Sequence, residues 1–266
     1  MRSPKAAFEL RTALSDELRA AIAELNAYGQ DPSALHRCRV RVKRARALAR
    51  VGKACAPGLS SVFNDTARGV MRTMGHARDL SALAEAARKM RKRARGKTAA
   101  AVKALAEGLE AERAAAPRLN VEGARTGLKD LLALAQVWPE ASPRQIRRGG
   151  DRIARRARRA YQHAHFATDA PRRHEWRKRE KDRLFAALLL EGAWRAPRRR
   201  KAGAKLGDIL GRERDMLLLL ERVETAPALA GEGKAARRAA KLLREVSSKL
   251  KRRADATGAR LHAGGV

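Results

Sequence analysis

Apolar residues recur every three or four positions along almost the whole chain. This spacing places them on one face of an α-helix, where they can pack against neighbouring helices. In the segment after residue 33, the apolar positions are Leu35, Cys38, Val42, Ala45 and Ala49. Ser33 precedes this run and is expected to cap the helix.

Glycine and proline divide the chain into segments of helical length. These interruptions fall at residues 29–32, 57–58, 96, 117, 139–143, 171, 197 and 227–233. Alanine, leucine and arginine predominate between them, whereas aromatic residues make up only 3% of the chain, and this balance favours helix over strand. The sequence therefore predicts an all-α protein built from antiparallel helical bundles.

The apolar segments are those of a folded protein without a membrane span. The longest apolar run, 184–190, is too short to cross a bilayer, and the N-terminal residues lack the apolar stretch of a signal sequence. Cys38 and Cys55 are too few for a disulfide framework or a tetrahedral cysteine site. A cytoplasmic location is expected.

Charge is the strongest feature of the composition. The chain has 61 lysine and arginine residues against 28 acidic ones, which gives a formal net charge of +33. Such an excess destabilises a compact state by self-repulsion, and a polyanion would offset it. Nucleic acid, polyphosphate and an anionic membrane surface are all compatible with this charge.

Basic residues form a second stripe beside the apolar one. It consists of His36, Arg39, Lys43, Arg46 and Arg50, again three or four positions apart. Like charges at this spacing destabilise an isolated helix by a few tenths of a kcal/mol per pair, roughly. An anion bound along the stripe would offset that cost, so we predict a binding surface next to the core.

Two patterns occur twice in the chain, in the same order and at nearly the same separation. His36, Arg39 and Lys43 form H-x-x-R-x-x-x-K, and the same pattern recurs at His174, Arg177 and Lys181. Each copy is followed by G-x-x-R-D, whose final pairs are Arg78 with Asp79 and Arg214 with Asp215.

This repeat predicts two similar helical bundles. The expected divisions are residues 1–117 for the first half, 118–143 for a connector, 144–257 for the second half and 258–266 for a C-terminal tail. We expect a pseudo-twofold relation between the halves.

The paired signatures resemble the CHAD family, the conserved histidine α-helical domain. This resemblance implies two bundle halves whose basic helices surround a central cavity or groove, and binding of inorganic polyphosphate, commonly at polyphosphate granules. It implies no catalytic activity, and no cofactor is expected. The residues that match the family motifs are His36, Arg39, Lys43 and Arg46 in the first copy and His174, Arg177 and Lys181 in the second.

The second copy departs from the family pattern ten residues after its histidine. A basic residue is usual there, but this chain has Leu184, preceded by Arg183. Arg50 and Arg183 complete the predicted polyphosphate-binding set. The two histidines could instead be structural, each bonded to a carbonyl or a carboxylate.

The R-D pairs are predicted to support the site rather than bind ligand. Asp79 and Asp215 would orient basic residues of the histidine helices, because a carboxylate in the ligand path would repel a polyanion. Arg78 and Arg214 are assigned to the same supporting role.

The sequence favours a binding protein over an enzyme. It has no glycine-rich phosphate loop, no G-x-S-x-G elbow, no carboxylate cluster suited to magnesium and no convincing metal site among its histidines. The alternative function is non-specific nucleic-acid binding by the same basic helices. Membrane binding is disfavoured because the basic faces lack an aromatic insertion edge.

Overall fold

In a computed structural model of the protein, the described residues form ten α-helices. The structure describes residues 8–31, 33–117, 119–166, 169–194 and 200–263, without the side chains of 76–78 and 200, and no strand occurs among these residues. The helices are α1 Leu10–Ala27, α2 Ala34–Val51, α3 Pro57–Thr73, α4 Gly75–Arg91, α5 Gly96–Ala115, α6 Val121–Gln136, α7 Pro143–Phe166, α8 Ala170–Leu189, α9 Arg200–Thr225 and α10 Gly233–His262. The all-α prediction is confirmed.

Most helices begin where glycine or proline interrupts the sequence pattern. Pro57, Gly96 and Pro143 are first residues of helices, while the predicted interruptions at Pro32 and Pro197 lie outside the described residues. The cap predicted at Ser33 is wrong, because its side chain makes no capping hydrogen bond. Its hydroxyl and backbone N–H instead donate to Asp31, at 2.9 and 2.8 Å.

The two G-x-x-R-D copies differ in local structure. The first begins α4, directly after a break at Met74 that the pattern of glycine and proline did not predict. The second lies inside the 26-residue helix α9. The two copies of this motif therefore do not mark the same position relative to the ends of their helices.

The chain forms two compact units, and it passes between them more than once. The first contains the described residues of Met1–Met74, Asn120–Ala204 and Leu261–Val266, and the second those of Gly75–Leu119 and Lys205–Arg260. These units follow a different division from the one that the repeat predicts. The boundaries drawn from the repeat, the pseudo-twofold relation and the central cavity stay predictions.

Helix α2 is central to the first unit. It packs against α1, α3, α7 and α8, while α6 packs on α1 and α3. Trp138, after α6, is fully buried and meets Phe63 edge-to-face at a ring-centroid distance of 5.8 Å. The segment predicted as a connector therefore belongs, from Asn120 onward, to the core of this unit.

The second unit is built around the pair α4 and α5. Helix α5 also packs against the 3₁₀ turn Pro227–Ala230, where Leu229 lies against Gly108. A salt bridge joins Arg222 to Glu112, and Arg244 pairs with Glu224 at 2.5 Å. Among the described residues of the chain, no helix is both long and apolar enough to cross a membrane.

A buried carboxylate ties α8 to the last turn of α10 within the first unit. The side chain of Glu180 is 0% exposed. Its oxygens accept hydrogen bonds from Arg183 Nε at 2.8 Å and Trp176 Nε1 at 3.1 Å, and His262 Nε2 lies 2.6 Å away. Tyr161 stacks on His262 at a centroid distance of 5.0 Å.

These partners decide the ionisation of Glu180. Burial by itself raises the pKa of its carboxyl, but the hydrogen bond with His262 and the charge of Arg183 together hold the pKa below its ordinary value. Because the folded pKa is depressed, the contribution of Glu180 to stability is present above its unfolded pKa and is lost as the pH falls through the folded value.

We predict that Gly149→Ala destabilises the first unit. A Cβ at Gly149 would lie 2.3 Å from the carbonyl oxygen of Val51, a backbone atom that cannot move aside cheaply. The expected loss is about 2 kcal/mol in the free energy of unfolding, measured by urea denaturation. Gly69→Ala in α3 is the control: no atom lies within 4 Å of its Cβ position, so alanine should stabilise by about 0.5 kcal/mol. Equal stabilities would contradict the close approach of α7 to the end of α2.

We also predict that Glu180→Gln leaves the Arg183 charge uncompensated and lowers the free energy of unfolding by about 3 kcal/mol at pH 7. Glu175→Gln removes a more exposed carboxylate of the same helix and should cost less than about 1 kcal/mol. Chemical denaturation from pH 7 to pH 3 should show the gap between wild type and Glu180→Gln narrowing as the pH falls. A constant gap would argue against an ionised Glu180.

Candidate anion-binding surface

The two helices that carry H-x-x-R-x-x-x-K pack directly against each other. They are α2 and α8, which belong to the same unit although more than a hundred residues separate them in sequence. Arg50 Nη1 of α2 donates to Asp182 Oδ1 of α8 at 2.9 Å, and both side chains are largely buried, at 18% and 15% exposure. The two helices that carry the repeated motif are thus in direct contact.

Five arginines from three helices gather around this contact, and we call them the arginine cluster. They are Arg46 and Arg50 of α2, Arg152 and Arg156 of α7, and Arg179 of α8.

Hydrogen bonds fix three members of the cluster. Arg152 Nη2 donates to the backbone carbonyl of Arg50 at 3.2 Å, which links α7 to α2. Arg179 is bound on two sides: Nη1 lies 3.3 Å from Asp182 Oδ2, and Nη2 lies 2.5 Å from Glu175 Oε1. Together with the bond from Arg50 to Asp182, these contacts set the positions of three guanidinium groups.

The cluster is electrostatically unfavourable for its own cations. The pKa of Arg50 is lowered to about 10, first by burial and also by the charges of Arg46, Arg179 and Arg156, whereas Asp182 acts in the opposite direction. The pKa of Arg46 is lowered first by burial, and that of Arg156, whose side chain still meets solvent, first by partial desolvation; neighbouring arginines lower both further, and Asp182 again opposes. A further anion placed here would relieve both the burial cost and the repulsion.

The remaining residues of the first motif lie on the same helix face as Arg46 and Arg50. His36 is exposed, whereas Arg39 and Lys43 are partly buried. Arg39 Nη1 donates to the carbonyl oxygen of Met71 at 2.9 Å, so part of its donor capacity holds α2 against the C-terminal end of α3. Ligand contact by these three residues stays a prediction.

The second motif lies on α8, with His174, Arg177 and Lys181 all partly buried. Whether they contact ligand also stays a prediction. Arg183, by contrast, is in the interior, 6% exposed and bonded to Glu180.

The interior position of Arg183 has a geometric cause. Arg183 follows His174 by nine residues, and at about 100° per residue it points to the opposite side of α8 from the histidine. Its interior position and its bond to Glu180 favour a structural role, while its assignment to the polyphosphate-binding set stays a prediction.

The residues assigned to a supporting role lie in the second unit. Asp79 is exposed, and Arg214 and Asp215 are partly buried. The side chain of Arg78 lies outside the described parts of the structure. Their supporting role stays a prediction.

Sequence reasoning missed three members of the arginine cluster. Arg152 and Arg156 are four residues apart on α7, and Arg179 lies two residues after Arg177. The available signal was the i, i+4 spacing on α7 beside its apolar stripe. In the part of the chain that the structure describes, no three His, Cys, Asp or Glu side chains approach closely enough to hold a metal ion.

Comparison with known proteins places this arrangement in a family. No curated protein matches the chain. Among solved structures, the chain is similar to one described as the crystal structure of the CHAD domain from the plant Ricinus communis, with a TM-score of 0.67 and 23% sequence identity over 100% of this chain and 97% of that one. That likeness shows a common fold.

The family model for the CHAD domain matches residues 12–224, a range that includes both H-x-x-R-x-x-x-K helices and the whole arginine cluster. Since this is most of the chain, the match defines the family and not only the fold. The protein belongs to the CHAD domain family, a family associated with polyphosphate binding.

Proposed function

We propose that this protein binds inorganic polyphosphate through the arginine cluster and the adjoining basic face of α2, and that it does so without catalysis. The observation that carries the proposal is the convergence of five guanidinium groups from α2, α7 and α8 around the contact between Arg50 and Asp182. Membership of the CHAD family supports the choice of polyphosphate among the possible anions.

The residue types suit a chain of phosphates. Guanidinium groups donate two parallel hydrogen bonds to neighbouring phosphate oxygens, whereas lysine acts as a mobile point charge. The stripe of Arg39, Lys43 and Arg46 leads along α2 to Arg50. A polymer of identical phosphates can follow such a stripe in many registers, which increases the number of equivalent bound states.

Binding would also relieve an electrostatic cost of the fold. The lowered pKa of Arg50 records how unfavourable its charged form is in the unliganded protein. Polyphosphate oxygens would supply negative charge at that position and release condensed counterions into solution. Ligand at about a hundred times its dissociation constant would stabilise the protein by about 2.7 kcal/mol.

A binding role without chemistry fits a protein that associates with polyphosphate granules in the cytoplasm. Such a protein would act as an adaptor, with granule proteins as further partners. The basic cluster would hold a cleaved product as firmly as the intact polymer, which is a poor property for a hydrolase.

Non-specific nucleic-acid binding is the second candidate, and the outer face of α7 favours it. Arg144, Arg148, Arg155 and Arg159 are exposed along one side of this helix. None of the four forms a salt bridge with the other described residues. Such a row of arginines can follow a nucleic-acid backbone without reading bases.

The first test is charge reversal within the cluster. Arg156 is exposed, so Arg156→Glu should leave the free energy of unfolding within about 0.5 kcal/mol of wild type. Its affinity for long-chain polyphosphate should fall at least about tenfold, and the slope of log K against log salt should decrease by about 1. Fluorescence titrations at several salt concentrations measure both quantities.

Arg144→Glu is the matched control, because it makes the same charge change at an exposed position on the outer face of the same helix. It should weaken polyphosphate binding less than about threefold. Equal losses in the two variants would mean that total charge, rather than the arginine cluster, determines binding.

The second test is competition between polyanions. Labelled long-chain polyphosphate, bound at physiological salt, is displaced by duplex DNA, RNA or heparin at matched total charge. We expect polyphosphate to be preferred by at least about tenfold, or about 1.4 kcal/mol. Equal competition would favour the nucleic-acid candidate, and the outer face of α7 would then be the surface to mutate.

A further inference from the structure

Asp182 occupies a position that a bound anion would compete for. Its two carboxylate oxygens engage two different guanidinium groups, Oδ1 with Arg50 at 2.9 Å and Oδ2 with Arg179 at 3.3 Å. Carboxylate and phosphate oxygens make the same type of charge-assisted hydrogen bond with arginine. Part of the donor capacity of the cluster is thus directed at a group of the protein itself.

The charge of Asp182 reaches beyond these two contacts. It attracts Arg46 and Arg156 as well, so one carboxylate partly compensates four guanidinium groups. Glu175 adds a second carboxylate at Arg179, but it is more exposed, at 40% against 15% for Asp182. Water screens the more exposed group more strongly, so Asp182 has the larger effect on the field at the cluster.

We propose that Asp182 is an internal counter-anion that regulates polyanion affinity: it keeps the arginine cluster assembled when no ligand is bound and competes with ligand phosphates for Arg50 and Arg179. This inference rests on the proposed function of the cluster. The consequence is reversible binding. The net binding free energy of a polyanion is the free energy of its own contacts with Arg50 and Arg179 minus that of the Asp182 contacts it displaces.

The deciding variant is Asp182→Asn. The amide oxygen can still accept a hydrogen bond from Arg50, so the guanidinium stays positioned while the negative charge is removed. Affinity for long-chain polyphosphate should rise about tenfold and the salt slope should become steeper by about 1. The melting temperature of the unliganded protein should fall by about 3 °C, because the cations lose compensation.

Two further variants separate charge from position. Asp182→Ala removes the hydrogen-bond acceptor too, so it should bind polyphosphate more weakly than Asp182→Asn. Asp16→Asn changes the net charge equally at an exposed site on α1, where Asp16 pairs with Arg19 at 3.3 Å, and it should change affinity by less than about twofold. If Asp182→Asn does not fold, Glu175→Gln tests the same competition at Arg179, with an expected gain of about threefold.

The outcomes distinguish this inference from the proposed function. Tight binding by wild type together with unchanged or weaker binding by Asp182→Asn overturns the role of Asp182 and leaves the polyphosphate site standing. The same holds if Asp16→Asn gains as much affinity as Asp182→Asn. Absence of binding by wild type overturns both.

Discussion

Carboxylates are scarce in this protein. The packing of its helices depends on a few largely buried carboxylates, each of which contacts more than one basic side chain. Glu17 forms salt bridges with two arginines of α2, at 3.3 and 3.5 Å. Asp182 joins α2 to α8, and Glu180 joins α8 to the end of α10. Because the chain has 28 acidic residues against 61 basic ones, most basic side chains cannot each have a carboxylate of their own. Sharing one carboxylate among several basic groups at the junctions of helices is the arrangement that the structure adopts instead.

Packing and the candidate site are connected through α7. The backbone of α7 approaches the end of α2 closely at Gly149, where a side chain would meet the carbonyl of Val51. One turn further along α7, Arg152 donates to the carbonyl of Arg50. The close contact therefore brings the arginines of α7 to the face of α2 on which Arg46 and Arg50 lie. A wider separation of these helices would leave the cluster with the cations of two helices only.

The sequence allowed the helices and one edge of the site to be predicted, because both depend on local spacing. Arg46 and Arg50 share a face with His36 whatever the tertiary fold, and proline at residues 57 and 143 begins a helix for local reasons. The contribution of α7 depends on which helices are neighbours, and periodicity holds no information about that. Arg183 stands one residue before the basic position of the family pattern, and this displacement rotates its side chain toward the interior, which periodicity alone did not reveal. Asp182 was not recognised because its importance comes from its contact with Arg50, which lies 132 residues away in the sequence.

The last turn of α10 has a consequence for how the protein is made. Leu261 and His262 belong to the first unit, although most of their helix belongs to the second. A ribosome adds residues in order, so α1 to α3 and α6 to α8 emerge long before His262 can approach Glu180. During that interval Glu180 lacks a partner that the finished fold provides, and the first unit stays incomplete while the whole of the second is synthesised. Because the chain is made from its N-terminus, the first unit cannot be completed before the second unit has been synthesised. The two units therefore complete their folding together rather than one after the other.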